Sequence, residues 1–258
     1  MRSEEELVAL AHESFLGTFR APVRHSPDGA VRETPGVFAF VTGLPLSGFN
    51  GCIVTEPVGG HEVAAALAWV AGHGVPQRAW IVDGLVPGLA HVPARFDLEL
   101  QGEPYPAMVL HPAPAPPAPA AGVEISWATG GALGEFLHVF ETGGPGSDLT
   151  RRLFTESFAD DPNVQLLVGR LDEKPVGTAV AIQSAGASGV VAVGTLPEAR
   201  RRGVGTALTW AAVEAGRQRG FDTVVLQSSA MGFPVYSAMG FRTVATYAVY
   251  APSSARRG

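Results

Sequence analysis

The spacing of apolar residues in the second half of the chain distinguishes its helices from its strands. In segment 204–220 the apolar side chains recur every three or four positions, which predicts one helical stripe formed by Val204, Ala207, Leu208, Ala211, Ala212 and Ala215. Gly220 directly after this stripe is typical of a helix end. Shorter helices are predicted at 133–141, 147–158 and 234–239.

Apolar runs bounded by Gly- and Ser-containing turns have no helical period and predict strands. In the second half these strands fall at 123–128, 164–171, 174–183, 188–196, 222–227 and 241–251. Strands and helices therefore succeed one another along residues 123–251, and this order predicts an α/β layered domain.

The first half has a similar but less regular order of elements. Helices are predicted at 4–16 and 60–74, and strands at 36–44, 51–55, 78–84 and 105–110. This order favours two related folds in tandem.

The segment between the halves has a different composition. Residues 111–122, HPAPAPPAPAAG, are almost entirely Pro and Ala, which favours an extended, semi-rigid spacer. We therefore predict two domains, 1–110 and 123–258, joined by a linker at 111–122.

Composition narrows the class of protein. The chain has 258 residues, 46% of them hydrophobic, and a formal net charge of −6. This charge gives no general attraction to nucleic acid or to an anionic membrane. The single cysteine excludes an internal disulfide, and no apolar stretch is long enough for a bilayer. We expect a soluble, cytoplasmic protein with no nucleic-acid or membrane partner.

The stretch ARRRGVG at 199–205 stands between a strand that ends near Thr195 and the helix that begins near Val204. Glycines allow backbone N–H groups to approach a ligand closely, and the free N–H groups of a helix start attract anions. On spacing alone, a solvated basic turn explains the motif equally well. No Lys-Ser/Thr pair follows, and strand 222–227 ends without an acid for a ribose, so a diphosphate with a long organic arm is the favoured ligand.

Residues 193–242 resemble the cofactor-binding core of the GCN5-related N-acetyltransferases, the GNAT superfamily. The resemblance is carried by a strand, R-x-x-G-x-G at 200–205, a helix, LQSS at 226–229 and Y-x-x-x-G-F at 236–241. It extends loosely over 123–251, and TGLPLSGFNG in the first half is similar to degenerate GNAT domains of tandem proteins. It implies a mixed, mostly antiparallel central sheet flanked by helices, with two GNAT-like domains in tandem and the first one degenerate.

The resemblance also implies a cosubstrate, acetyl-CoA, with coenzyme A as product and no metal. In the family the loop wraps the diphosphate, while the preceding strand leaves its neighbour, pairs with the pantetheine arm and offers an N–H near Val193 to the thioester carbonyl. Carried over to this chain, the cofactor-binding residues are Val191, Val193, Gly194, Thr195, Arg200, Arg201, Arg202, Gly203, Val204, Gly205, Thr206, Ser228 and Ser229.

Tyr236 matches the family's tyrosine that protonates the departing thiolate, and a protonated phenol at neutral pH can act as that acid. Packing under the following Gly-Phe is the alternative role for this ring. Ser228 and Ser229 suit a hydrogen bond to the cofactor or to Tyr236, or equally the start of the next helix.

The general base cannot be predicted, because the cofactor strand carries no carboxylate. Deprotonation of the amine through a water relay is as plausible as deprotonation by a side chain. The candidate side chains on the neighbouring helical segments are Glu135, Glu141, Glu156, Asp160, Asp161 and His138. We interpret Cys52 as a buried structural residue, Asn50–Gly51 as a turn, and the four tryptophans as core or interface residues.

These observations predict an acyl-CoA-dependent N-acyltransferase that moves an acetyl group to a primary amine by direct attack in a ternary complex. The acceptor is a small molecule or a protein, and a homodimer is compatible with the sequence. A non-catalytic acyl-CoA-binding or sensing protein is one alternative, since the base is missing. A different acyl donor is another, because Ala192, Gly194 and Ala230 leave room near the thioester. The first half would then be a degenerate domain, or a platform for dimerisation or substrate gating.

Overall fold

The computed structural model describes residues 2–129, 132–143 and 148–253. Within them the strands are β1 (Ala30–Thr34), β2 (Val37–Val41), β3 (Asn50–Val54), β4 (Arg78–Val82), β5 (Leu98–Leu100), β6 (Tyr105–Leu110), β7 (Val123–Trp127), β8 (Val164–Leu171), β9 (Lys174–Ser184), β10 (Ala187–Thr195), β11 (Val224–Gln227) and β12 (Arg242–Pro252).

Helices of very different length connect these strands. Their bounds are α1 (Glu4–Arg24), α2 (Gly60–Ala71), α3 (Val86–Leu89), α4 (His91–Ala94), α5 (Ala132–Gly143), α6 (Glu156–Ala159), α7 (Val204–Gln218) and α8 (Phe233–Ala238). Helix α1 begins with a capping box, in which the Ser3 hydroxyl accepts the Glu6 N–H and the Glu6 carboxylate accepts the Ser3 N–H. This reciprocal pair fixes the helix start.

The described strands form one sheet, in the order β1-β2-β3-β4-β12-β6-β11-β10-β9-β8-β7, with β5 pairing to β12. Most neighbours are antiparallel. The pairs β3–β4 and β10–β11 are parallel, one in each half of the sheet. The predicted fold class, a mixed and mostly antiparallel sheet flanked by helices, is therefore confirmed.

The two halves of the chain exchange strands at the centre of this sheet. Strand β12, the last of the second half, lies between β4 and β6 of the first half. Strand β6 in turn lies between β11 and β12 of the second half. Each half therefore contributes a strand that the other half encloses, and the sheet is continuous across the boundary predicted at 111–122.

Alternate residues of the strands face opposite layers of helix. On one face, α2 and α7 pack on apolar clusters that include Val54 and Ile81 in the first half and Val224 and Leu226 in the second. On the other face, α1 packs across the centre and α5 across the second half. The buried stripe predicted for the long helix of the second half is confirmed, since α7 buries every residue of it except Ala211, which is partly buried.

Several sequence predictions about local structure are wrong. The helix predicted at 147–158 is not continuous: residue 147 lies outside the described residues, and residues 148–158 contain a 3-10 turn at Asp148–Arg152 and then the short α6, because the Thr155 side chain accepts the Phe158 N–H and starts a new helix. Asn50 and Gly51 lie in β3 and form no turn, because the Asn50 amide donates to the carbonyls of Leu44 and Pro76 and fixes the chain as strand. Strand β1 was not predicted, and its residues are mostly exposed.

The Pro/Ala segment is tied to the second half. The Ala113 N–H donates to the Asp222 carbonyl, and Ala120 passes directly over the turn before α7. The domain boundary itself remains a prediction.

The single cysteine and the tryptophans can be placed. Cys52 is buried, as predicted, and burial raises the pKa of its thiol to about 12, which makes it unreactive at neutral pH. Trp80 is a core residue. Trp127, however, is 46% exposed on the edge strand β7, so the expectation that it is a core or interface residue has no support in the described structure.

Candidate functional site

A gap opens in the middle of the sheet between β10 and β11. The two strands are paired only from Ser188 to Val190, and β10 continues to Thr195 without this partner. On its other side β10 has a bulge between Val191 and Gly194, where Ala192 adopts a positive φ of 54°. The bulge changes the direction of the strand, and the backbone of residues 191–195 is left open on the β11 side.

The basic loop follows this strand directly. A 3-10 turn at Pro197–Ala199 leads to Arg200, whose Nε donates to the Thr195 carbonyl at 3.2 Å. Gly203 then begins α7 with a left-handed φ of 83°, and no side chain caps the helix. The first turn of α7 also has no acidic residue. Its N–H groups therefore have neither an intrahelical partner nor a carboxylate of their own.

A cavity of about 750 Å³ lies between this loop, the free part of β10 and α8. It is lined by Val193, Gly194, Thr195, Ala199, Arg200, Arg201, Gly203, Val204, Gly205, Thr206, Ser229, Met231, Gly232, Val235 and Tyr236. The structure thus brings together most of the residues that the sequence suggested for a cofactor.

Three of the suggested residues do not line this cavity. Val191 packs on the opposite face of the sheet with the cluster under α5. Arg202 forms an ion pair with Asp172 at 3.4 Å. Ser228 is buried, and its hydroxyl donates to the Ser229 carbonyl.

Ser229, which does line the cavity, also has a local structural role, because its Oγ accepts the Gly232 N–H at 3.2 Å. Sequence reasoning missed Ala199, Met231, Gly232 and Val235. Met231 is 73% exposed and Val235 is 39% exposed, so apolar side chains lie at the cavity mouth. The apolar positions between LQSS and Y-x-x-x-G-F were the available signal.

Tyr236 is partly buried and lines the cavity from α8. Burial raises the pKa of its hydroxyl to about 12, the nearby Tyr105 adds to the increase, and a hydrogen bond with Thr209 opposes it. The phenol is therefore protonated throughout the physiological range and can only donate a proton. Its ring also packs edge-on against Phe241, with ring centroids 6.0 Å apart, so catalysis and packing are compatible roles.

The carboxylates considered as general bases are engaged elsewhere or exposed. Glu135 pairs with Arg170, and Glu141 pairs with Arg151. Burial of Asp161 opposes ionisation, but hydrogen bonds from His25 and from the Asn163 N–H lower its pKa overall. The remaining candidates are exposed, and they are Glu156, Asp160 and His138. None of the six lines the cavity.

Across residues 2–129, 132–143 and 148–253, no group of three or more potential metal ligands occurs. No helix in these same ranges has the length and apolar character needed to cross a membrane.

Comparison with known proteins shows which family the second half of the chain resembles. Residues 135–241 match the model of the acetyltransferase (GNAT) family. No curated protein matches the sequence. Residues 135–241 are therefore similar to the GNAT acetyltransferase family, in agreement with the motifs at 193–242.

Solved structures extend the likeness to the whole fold. A GCN5-related N-acetyltransferase from Kribbella flavida aligns over 96% of both chains, with a TM-score of 0.70 and 19% identity. Another from Sphaerobacter thermophilus covers 83% of this chain and 76% of its own, with a TM-score of 0.62 and 18% identity. A tandem GNAT protein from the clavulanic acid biosynthesis pathway covers 87% and 83%, with a TM-score of 0.58 and 15% identity. At such identities the likeness concerns the fold alone.

Proposed function

We propose that this protein is an acetyl-CoA-dependent N-acetyltransferase that transfers the acetyl group directly to a primary amine in a ternary complex. The observation that carries the proposal is the uncapped start of α7, which opens on the same cavity as the unpaired part of β10. A helix start binds a pyrophosphate through its N–H groups, and a free strand edge binds the amides of a pantetheine arm.

The residues of the loop fit coenzyme A. Gly203 lines the cavity at the helix start, and Arg200 and Arg201 add positive charge at the cavity wall. The acidic groups nearest in sequence do not oppose this charge, because Glu198 is exposed and outside the cavity lining. Bound acetyl-CoA supplies the activated acyl group and a thiolate leaving group.

Tyr236 has the chemistry for one step of this transfer. Its proton can pass to the coenzyme A sulfur as the carbon–sulfur bond breaks, because its raised pKa keeps it protonated at neutral pH. Since no described carboxylate lines the cavity, we assign removal of the amine proton to water.

One observation favours a second candidate function, acyl-CoA binding without catalysis. Glu135 and Glu141, two of the carboxylates considered as general bases, are held in ion pairs. Binding and transfer are separable by experiment, because the second candidate keeps the affinity for acetyl-CoA and has no acceptor-dependent release of thiol.

We also interpret the first half as a degenerate GNAT-like domain. Its parallel pair β3–β4 corresponds to β10–β11, and its helix α2 lies on the same face of the sheet as α7. The fold likeness to a tandem GNAT protein, which covers 87% of this chain, supports this interpretation.

The experiment that tests the proposal combines calorimetry with a thiol-release assay. We expect acetyl-CoA and coenzyme A to bind to the purified full chain, and thiol release to rise with at least one member of a panel of polyamines, amino acids and lysine peptides. Binding without release would favour the second candidate. Absence of binding would contradict both functions.

Tyr236→Phe tests the assigned acid. We expect kcat to fall about 100-fold or more, while the dissociation constant for acetyl-CoA stays within about twofold, since general acid catalysis contributes roughly 10²- to 10⁴-fold to a rate. Because the raised pKa lies near 12, the wild-type rate should show no loss from this group between pH 7 and 10. An unchanged kcat in the variant, or an alkaline loss with a midpoint near pH 9, would contradict the assignment.

A further inference from the structure

A serine, a histidine and an aspartate from the two halves of the chain meet at the junction of α1 and α6. His25 is the C-cap residue of α1, whereas Ser157 lies in α6 and Asp161 follows that helix. Nε2 of His25 is 2.9 Å from Oδ2 of Asp161, and its Nδ1 is 2.8 Å from Oγ of Ser157. We refer to these three residues as the triad, because a nucleophilic triad is recognised by this geometry and not by sequence position.

The charge of Asp161 fixes the roles of the two ring nitrogens. Burial of the carboxylate opposes its ionisation, but hydrogen bonds from His25 and from the Asn163 N–H, with the charge of Arg24, lower its pKa overall. An ionised carboxylate only accepts hydrogen bonds, so the proton of the neutral imidazole is assigned to Nε2. Nδ1 then carries the lone pair and accepts the Ser157 hydroxyl, and the triad can take a proton from that hydroxyl.

Exposure increases along the triad from the carboxylate to the hydroxyl. The side chain of Asp161 is 4% exposed and that of His25 is 13% exposed, while Ser157 is an exposed residue. The His25 ring also packs edge-on against Phe158, with ring centroids 5.7 Å apart. The imidazole and the carboxylate are therefore fixed by their surroundings, and the hydroxyl is the part of the triad that a molecule from solvent can reach.

The Ser157 hydroxyl has no role in starting its own helix. The N-cap of α6 is Thr155, whose side chain accepts the Phe158 N–H. Among the hydrogen bonds of the described residues, the Ser157 hydroxyl takes part only in the one with His25. A hydroxyl that is bound by an oriented imidazole has the environment of an activated nucleophile.

We propose that the triad is a second reactive site, in which Ser157 is the nucleophile for the hydrolysis of small activated esters. The Ser157 Oγ attacks the carbonyl carbon while its proton passes to Nδ1 of His25, and the leaving oxygen departs with that proton. Water then attacks the acylated serine and gives a proton to His25. The carbon–oxygen bond to Ser157 breaks, the serine oxygen takes this proton, and the carboxylic acid is released.

Asp161 is a positioning residue in this reaction. It holds the tautomer of His25 and stabilises the imidazolium that forms in each step. None of the three residues lines the cofactor cavity, so the reaction is independent of the proposed acetyl transfer.

Covalent labelling of the purified full chain tests the nucleophile. A fluorophosphonate loses fluoride to an activated serine and stays attached to it, so peptide mapping by mass spectrometry identifies the residue. We expect the label on Ser157. Ser237 is the internal control, an exposed serine of α8 with no histidine partner in the described structure, and it should stay unlabelled. Saturating coenzyme A should not protect Ser157, because the triad lies outside the cofactor cavity.

His25→Gln tests the base. The new amide can still donate to Asp161 but cannot take a proton, so we expect an unchanged melting temperature. The labelling rate and the hydrolysis of p-nitrophenyl acetate should both fall about 100-fold or more, since general base catalysis contributes roughly 10²- to 10⁴-fold to a rate. Ser157→Ala should abolish the label, and Ser237→Ala should keep the wild-type rates. An unlabelled Ser157, protection by coenzyme A, or a wild-type rate in His25→Gln would overturn the proposal.

Proton NMR tests the positioning role of Asp161. An imidazole N–H that donates to a carboxylate gives a resonance far downfield, which should be present in the wild type and in Ser157→Ala. It should disappear in His25→Gln and move upfield or disappear in Asp161→Asn, which should also slow the labelling of Ser157 about tenfold or more. A resonance or a labelling rate that Asp161→Asn leaves unchanged would overturn the positioning role. A downfield resonance together with an unreactive Ser157 would show that the triad is only a structural bridge between the halves, and the proposal would fail.

Discussion

Helices α2 and α7 begin at corresponding places in the two halves of the sheet, but their first turns are filled differently. At the start of α2, the Glu62 carboxylate accepts the N–H of Gly59, the N-cap residue. At the start of α7 no side chain caps the helix, and Arg200 and Arg201 line the adjoining cavity.

The difference shows how one fold acquires or loses an anion site. A carboxylate in the first turn stabilises the helix and occupies the positive end of its dipole. A phosphate therefore gains little binding free energy at such a helix start. An uncapped start costs the helix some stability and leaves its N–H groups available. We therefore expect coenzyme A to bind at α7 and not at α2.

The largest expected effect comes from separating the halves. Residues 123–258 alone lack β6, which pairs with both β11 and β12. We expect this fragment to show no cooperative thermal transition, because β11 loses one of its two neighbours and β12 loses all of its strand partners. Co-expression with residues 1–122 should restore a soluble complex. A fragment that melts sharply and binds coenzyme A by itself would show that the second half is autonomous.

Gly203→Asp brings the α7 start closer to the α2 start by adding a carboxylate. We expect the dissociation constant for coenzyme A to rise about 100-fold, or about 2.7 kcal/mol, because the new charge repels the pyrophosphate and a Cβ there would also crowd Ala120, 2.9 Å away. Gly74→Asp is the control, since Gly74 has a similar positive φ with open space around it. Calorimetry checks the affinity, and equal affinities in the two variants would contradict the site.

The arginines of the loop should contribute unequally. Arg201→Gln should weaken coenzyme A binding about tenfold and reduce its salt dependence, because Arg201 lines the cavity. Arg202→Gln should change the affinity less than about twofold, since Arg202 is paired with Asp172 at the surface. Titrations with coenzyme A at low and high salt would measure the two losses of affinity. A larger loss in Arg202→Gln than in Arg201→Gln would mean that the pyrophosphate contacts Arg202 and not Arg201.

The smallest effect is expected at α2. Glu62→Gln weakens the cap of that helix and should lower the free energy of unfolding by about 0.5–1 kcal/mol. Coenzyme A affinity should stay the same, because no ligand is expected there. Thermal melts and calorimetry together check the two statements. Binding of a second coenzyme A molecule to the variant would show that the Glu62 carboxylate alone prevents binding at the start of α2.

Local patterns were sufficient for much of the fold and of the candidate site. The bounds of β8 and the start of α7 agree with the apolar periods, and Gly203, in the loop predicted to approach a ligand, lines the cavity. These features depend on residues close together in sequence. The same holds for the burial of Cys52.

Features that depend on distant partners could not be predicted. The sequence patterns of β6 and β12 predict buried strands, but they do not indicate that each of these strands pairs with strands of the other half of the chain. The motif alone also could not distinguish Arg201 from Arg202, because the difference is set by Asp172 on the β8–β9 turn.

The position of β12 also bears on how the polypeptide reaches its native state during synthesis. Its partners β4 and β6 are translated more than a hundred residues earlier, yet they cannot complete the sheet until residues 242–252 leave the ribosome. Until then the edges of both strands are exposed to solvent, and contacts of such long sequence separation form slowly. These edges therefore stay open to pairing with other chains until residues 242–252 are available.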